Sequence, residues 1–172
     1  NLVGSEIFVE SQEGKGTTFW FDLTFTKIMT SAVEIQEEDE AIDRSLTGKR
    51  VLLVEDNQMN IMVAGKFLKK WELEVEVALN GKEGVEKVRD GVFDLVLMDL
   101  QMPVMDGYKA TREIRKFDEK IPIIALTASA LLKVQQEVRD AGMNDYITKP
   151  FDPKDLRRKI SNYMRVNAFD AS

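Results

Sequence analysis

Five residues that can do chemistry fall at the ends of apolar runs. VLLV (51–54) runs into Glu55 and Asp56, and LVLM (95–98) into Asp99. IPIIAL (121–126) is followed by Thr127, and DYITKP (145–150) carries Lys149 before Pro150. Each residue alone has an ordinary explanation: Asp56 caps a helix, Asp99 caps a turn, Thr127 suits a strand, Lys149 is solvated. If the runs are strands of one sheet, all those explanations must hold together by coincidence. Burying a lone charge is costly unless it is paired or bound to a metal. Two carboxylates 5 Å apart repel by roughly 3 kcal/mol at an effective dielectric of 20, while a whole domain is stable by only about 5–15 kcal/mol. One lysine cannot neutralise three acids, but a divalent cation can. An all-oxygen donor set suits Mg²⁺, which keeps some waters and often bridges to a phosphoryl group. With Glu55 and Asp56 on the cation, Asp99 is a carboxylate nucleophile able to form an aspartyl phosphate. Lys149 and Thr127 would then contact phosphoryl oxygens, in a transfer that depends mainly on positioning and charge neutralisation.

Convergence of those residues requires a particular scaffold. EVEVAL (74–79) alternates as a strand with one more exposed face does, and gives, with the four runs above, five strands. Helical patterns lie between them. Met59, Val63 and Phe67 recur at helical spacing, as do Leu131, Val134, Val138 and Ala141, and Leu156, Ile160 and Tyr163. Asn57 suits an N-cap and Gly142 a C-terminal stop. Strands alternating with helices predict an α/β fold, a parallel sheet covered on both faces. Its site should lie beyond the carboxyl ends of the strands, where the five residues fall.

Composition narrows the classes further. The chain has 172 residues, no Cys and no His, so disulfides, thiol zinc sites and imidazole chemistry are excluded. No run of eighteen apolar residues marks a membrane span, and no signal peptide is visible. Opening on Asn1 rather than Met, the chain reads as a fragment. Its net charge of −6 is local: six of the 30 acids lie between Glu34 and Asp43, and the remaining 24 match the 24 Lys and Arg. That balance gives no basic surface for nucleic acid. Residues 28–48 therefore read as an acidic, solvated linker. Before it, EIFVES and TTFWFDLTF are β-rich, with Phe19, Phe21, Leu23 and Phe25 at period two and QEGKG as the turn. A two-stranded hairpin is marginal alone, so residues 1–27 read as the end of a larger domain, with an apolar face that seeks a partner.

VLLVEDN, LVLMDLQMPVMDG, IPIIALTAS and DYITKPF, in this order, make residues 50–165 resemble a response-regulator receiver domain. The resemblance implies a flavodoxin-like, doubly wound sheet of order 2-1-3-4-5 over residues 49–166, with 167–172 as a tail and the N-terminal hairpin as a remnant. It implies that Asp99 is the phosphoacceptor and that Glu55, Asp56, Asp99 and the Gln101 backbone carbonyl hold Mg²⁺. Thr127 and Tyr146 become the switch pair, Lys149 the phosphate-sensing lysine, and the Lys149–Pro150 bond cis. GKGTTFWFDL is similar to the end of the ATP-binding domain of sensor histidine kinases, though Gly4-Ser5 stands where that family often has two glycines. The asparagine helix and Asp-x-Gly-x-Gly loop of that domain are missing, so this segment should not bind ATP. Kinase tail, linker and receiver make the order of a hybrid sensor histidine kinase, and VEDNQMNIMV is similar to receivers of that kind.

In that context a histidine kinase or histidine phosphotransfer domain supplies or accepts the phosphoryl group, the location is cytoplasmic, and a membrane-anchored parent or a homodimer is compatible. The chain itself would catalyse only the phosphorylation and dephosphorylation of its own Asp. Three alternatives compete. A degenerate receiver serving only as a binding surface would not need Asp99 and Lys149. A Mg-dependent aspartyl-phosphate phosphatase or mutase of the haloacid-dehalogenase type would carry Asp where Gln101 stands. A flavin mononucleotide binder would need a hydroxyl- and glycine-rich phosphate loop where EDNQMN stands.

Overall fold

The computed structural model describes residues 7–12, 14–21 and 46–169. The chain divides into two compact units, residues 1–40 and 41–172. The first contains a hairpin of β1 (Ile7–Gln12) and antiparallel β2 (Gly16–Phe21). Gly14 turns it at φ +78, a conformation that costs glycine little. Register pairs Phe8 with Trp20 and Val9 with Phe19. Successive strand residues face opposite ways, so both faces of the hairpin carry large apolar groups. Phe8 and Trp20 stack with ring centroids 5.9 Å apart. The expected apolar face therefore has a counterpart on the other side, and its members Leu23 and Phe25 lie outside the described residues.

In the second unit β3 (Arg50–Val54), α1 (Gln58–Lys70), β4 (Glu74–Ala78), α2 (Gly81–Asp90) and β5 (Leu95–Asp99) are followed by α3 (Gly107–Arg115), β6 (Ile123–Thr127), α4 (Leu132–Asp140), β7 (Asp145–Thr148) and α5 (Pro153–Phe169). All strand pairs are parallel, in the order β4-β3-β5-β6-β7. Counted within this sheet that is 2-1-3-4-5, the predicted doubly wound topology. Alternate strand residues feed two core layers. Val51, Leu53, Leu95 and Leu97 pack with Ala64 of α1 and Leu156 of α5. On the other face Leu52, Val54, Val96 and Met98 pack with Val88 of α2 and Ile114 of α3. Burial on both faces explains why these strands read as unbroken apolar runs. Each such Leu or Val contributes about 1.5–3 kcal/mol.

Two helices depart from the expected patterns. On α1 the buried residues are Ala64 and Leu68, while Met59 is 64% exposed, Met62 66% and Val63 38%. The helix enters with Asn57 accepting from the backbone N–H groups of Met59 and Asn60, and that start turns Ile61, Ala64 and Leu68 toward the sheet. Leu131, expected on the apolar stripe of α4, is its N-cap residue and is exposed, whereas Val138 and Ala141 are buried. Gly142 ends this helix as predicted, at φ +91 with its N–H on the Arg139 carbonyl. Boundaries shift as well. Leu46 is fully buried in the α1–α5 layer, so the packed domain begins three residues before residue 49. At the other end α5 runs to Phe169, past the expected limit of 166. Among the described residues no helix is long and apolar enough to cross a membrane.

Candidate functional site

The parallel register aligns the carboxyl ends of four strands. Val54 of β3 pairs with Met98, Asp99 with Leu126, and Thr127 with Thr148. Glu55, Asp56, Asp99, Thr127 and Lys149 therefore share one rim. Glu55, Asp56 and Asp99 each offer a carboxylate oxygen, and these lie within 4.8 Å of one another. Asp56 is exposed, whereas Glu55 and Asp99 are buried. Lys149 Nζ reaches into the cluster, 2.6 Å from Glu55 Oε2 and 2.9 Å from Asp99 Oδ2. The Lys149–Pro150 bond is cis.

The two buried acids are held differently. Asp99 receives Lys149 on Oδ2 and the Gln101 backbone N–H on Oδ1 at 3.3 Å. Glu55 receives Lys149 on Oε2, while Oε1 accepts from the Asn60 side-chain amide at 2.9 Å and the Asn57 N–H at 3.3 Å. Burial pushes the Glu55 carboxyl above its ordinary range, opposed by the hydrogen bonds from Lys149 and Asn60 and assisted by the neighbouring Asp99 charge. One ammonium faces three carboxylates, so the cluster retains excess negative charge. All-oxygen donors, two buried and one open to solvent, fit a hard divalent cation.

Thr127 and Tyr146 stand further back. The Thr127 hydroxyl donates to the Ser129 carbonyl and accepts from the Ser129 N–H, at 3.0 and 3.1 Å. It is thus committed to its own loop, although its carbonyl accepts from the Lys149 N–H at 2.7 Å. Tyr146, opposite Ala125 on β7, is half-buried against the α2–α4 layer. Lys159 of α5 places Nζ 4.7 Å from the Tyr146 ring centroid, 2.6 Å from the Tyr146 carbonyl and 2.7 Å from Asp145 Oδ1. Sequence reasoning missed Asn60, Ser129 and Lys159. Only Asn60 left a trace, as a polar residue one helical turn after the Asn57 cap.

An open parallel sheet of this order, with acids and a lysine on its carboxyl rim, defines the receiver class of α/β domains. The chain belongs to the response regulator receiver domain family, which matches residues 51–161, and so to two-component phosphorelay signalling. It is 37% identical over 164 residues to the aerobic respiration control sensor protein ArcB of Escherichia coli K12, an alignment covering 94% of this chain and 21% of ArcB. The chain thus spans about a fifth of that relative's length. The receiver domain of sensor histidine kinase PA1611 from Pseudomonas aeruginosa PAO1, solved with a magnesium ion coordinated in its active-site cleft, is 40% identical. That match covers 69% of this chain and 98% of the other, with a TM-score of 0.65. A chain in the co-crystal structure of the Saccharomyces cerevisiae histidine phosphotransfer protein Ypd1 with the Ssk1 receiver domain is 34% identical. It matches 72% of this chain and 93% of its own length, with a TM-score of 0.68.

Proposed function

We propose that Asp99 accepts a phosphoryl group from a phosphohistidine carried by a partner, and that the chain is the receiver-bearing part of a hybrid sensor histidine kinase. The observation that carries this reading is the placement of Lys149 Nζ on both Asp99 and Glu55, inside a cluster of three carboxylates. An Asp99 oxygen attacks phosphorus. The new P–O bond forms as the P–N bond to the donor imidazole breaks, and the departing imidazole takes a proton from solvent. Glu55, Asp56, Asp99 and the Gln101 carbonyl would hold Mg²⁺, which when bound offsets phosphoryl charge beside the acids. The Gln101 N–H and Lys149 orient the two Asp99 oxygens, and Lys149 supplies positive charge to the transferred group. A partner protein's apolar surface fits the exposed Met59, Met62 and Val63 of α1, the helix that begins directly behind Asp56. The kinase context is supported by the alignment to ArcB, which covers 94% of the chain and so extends well outside the 51–161 match.

Phosphorylation replaces the single negative charge of Asp99 with a phosphoryl group carrying roughly −1.5 to −2, if the acyl phosphate behaves as other protein phosphates do. Thr127 can meet that charge only by leaving the Ser129 carbonyl, and the space it vacates favours a shift of Tyr146. A local charge change thus biases a two-state element. Thr127→Ala should accept phosphate yet lose the change in amide exchange over residues 128–150 that the wild type shows. An unaltered exchange response in the variant would remove Thr127 from the switch.

The cation is tested by thermal melting. Mg²⁺ at a hundred times its dissociation constant should stabilise the folded chain by about 2.7 kcal/mol, a rise in Tm of roughly 5–10 °C. Asp56→Asn should lose most of that rise. An equal rise in both proteins would exclude Asp56 from the site.

A further inference from the structure

Glu55 poses a separate problem. It is 1% exposed, so its carboxylate must find its partners within the protein. Lys149 takes Oε2. The other oxygen has two donors: the Asn57 N–H at a long 3.3 Å and the Asn60 side-chain amide at 2.9 Å. Asn60 lies in the first turn of α1 and is half-buried, between exposed Met59 and partly buried Ile61. Its position is set by the helix start, because its own N–H donates to the capping Asn57 side chain. The described side-chain hydrogen bond of Asn60 is to Glu55.

We propose that Asn60 is a positioning residue for the phosphoacceptor centre: its amide fixes the Glu55 carboxylate so that Lys149 is shared between Glu55 and Asp99. The inference rests on the proposed role of Asp99 and of the acid cluster. Without the Asn60 donor, Oε1 keeps only the long backbone contact. The carboxylate then gains by turning to present both oxygens to Lys149, its strongest remaining partner. That rotation draws the ammonium from Asp99 and changes the oxygens offered to a cation. Groups that orient metal-binding carboxylates commonly matter by 10–100-fold in affinity when removed.

The test compares Asn60→Ala and Asn60→Leu with the wild type and with Asp56→Asn. Calorimetric titration with Mg²⁺ should give a dissociation constant about tenfold weaker in both Asn60 variants. The metal-free NMR resonances of the Lys149 side chain should shift in both, and labelling by acetyl phosphate should slow by a similar factor. Asn60→Leu keeps the branched outline of the side chain and removes its donor, so it remains informative if Asn60→Ala folds poorly, and far-ultraviolet circular dichroism checks each. Wild-type Mg²⁺ affinity and unshifted Lys149 resonances in folded Asn60 variants would overturn the inference. Weakened affinity in Asp56→Asn beside wild-type affinity in the Asn60 variants would overturn it while leaving the acid cluster intact. Wild-type affinity in Asp56→Asn would instead overturn the reading of the cluster itself.

Discussion

Asp99→Asn should abolish labelling by acetyl phosphate in the presence of Mg²⁺, a loss of at least a hundredfold against a wild type that takes up one phosphoryl group per chain. The side chain keeps its shape and loses its nucleophile: a carboxamide oxygen is a poor attacker at phosphorus, whereas an ionised carboxylate can form a covalent acyl phosphate. The substitution also removes one of the charges that meet Lys149 at 2.9 Å. Lys149 keeps its 2.6 Å contact to Glu55, so its ammonium is not left stranded. The acid cluster loses a repulsive member, since like charges held about 5 Å apart cost roughly 3 kcal/mol at a dielectric of 20. Folding stability in metal-free buffer should therefore hold or rise while phosphate acceptance vanishes. Intact mass spectrometry reads the label, and urea denaturation reads the stability. Undiminished labelling of the variant would move the acceptor to another residue. A large fall in stability would mean that Asp99 supports the fold through its bond to the Gln101 N–H more than it strains it.

How much of this was legible in the sequence depended on whether the signal was local. The strands β3, β5 and β6 were plain because both faces are buried, so every residue of VLLV, LVLM and IIAL is apolar. The rim followed from them, since a parallel sheet sends all its carboxyl ends one way. Side-chain direction was harder. Met59 and Val63 are as apolar as Ile61 and Leu68, so hydrophobicity alone did not decide which side of α1 meets the sheet. The capping geometry at Asn57 decided it. The Thr127 hydroxyl sits at the expected strand end, but its bonds to Ser129 depend on the turn of the following loop. Lys159 lies 13 residues from Tyr146 and reaches it only because α5 packs along β7. Leu46 is a further case. Leu46 stands next to polar residues in sequence and is buried only through contacts made across the α1–α5 layer.

Gly107→Ala should destabilise the domain by about 3 kcal/mol or more and slow phosphate acceptance by roughly a hundredfold, although it adds a single methyl group to a helix. Gly107 is the first residue of α3, directly after the capping Asp106. A Cβ at Gly107 would lie 2.1 Å from the backbone oxygen of Asp99 and 3.0 Å from Met98 Cγ. Backbone cannot step aside as a flexible side chain can, so either α3 withdraws from the sheet or the end of β5 moves. Overpacking commonly costs 1–3 kcal/mol, and contact with a strand carbonyl places this case at or beyond the upper end. The neighbouring loop offers little slack. It is closed by the Gly107 N–H on the Leu100 carbonyl and by the Gly81 N–H on the Met105 carbonyl. Within it Val104 holds a left-handed φ of 68. A shift there is transmitted to Asp99, and a misplacement near 1 Å can cost about a hundredfold in rate. At Gly65, in the middle of α1, an added Cβ would meet nothing within 4 Å. Gly65→Ala should therefore stabilise the domain by about 0.8–1 kcal/mol through helix propensity alone. Urea denaturation of the two variants should move in opposite directions from the wild type, and only Gly107→Ala should lose acetyl phosphate labelling. Equal stability and labelling in Gly107→Ala would mean that the close approach of α3 to Asp99 is not what holds the acceptor in place.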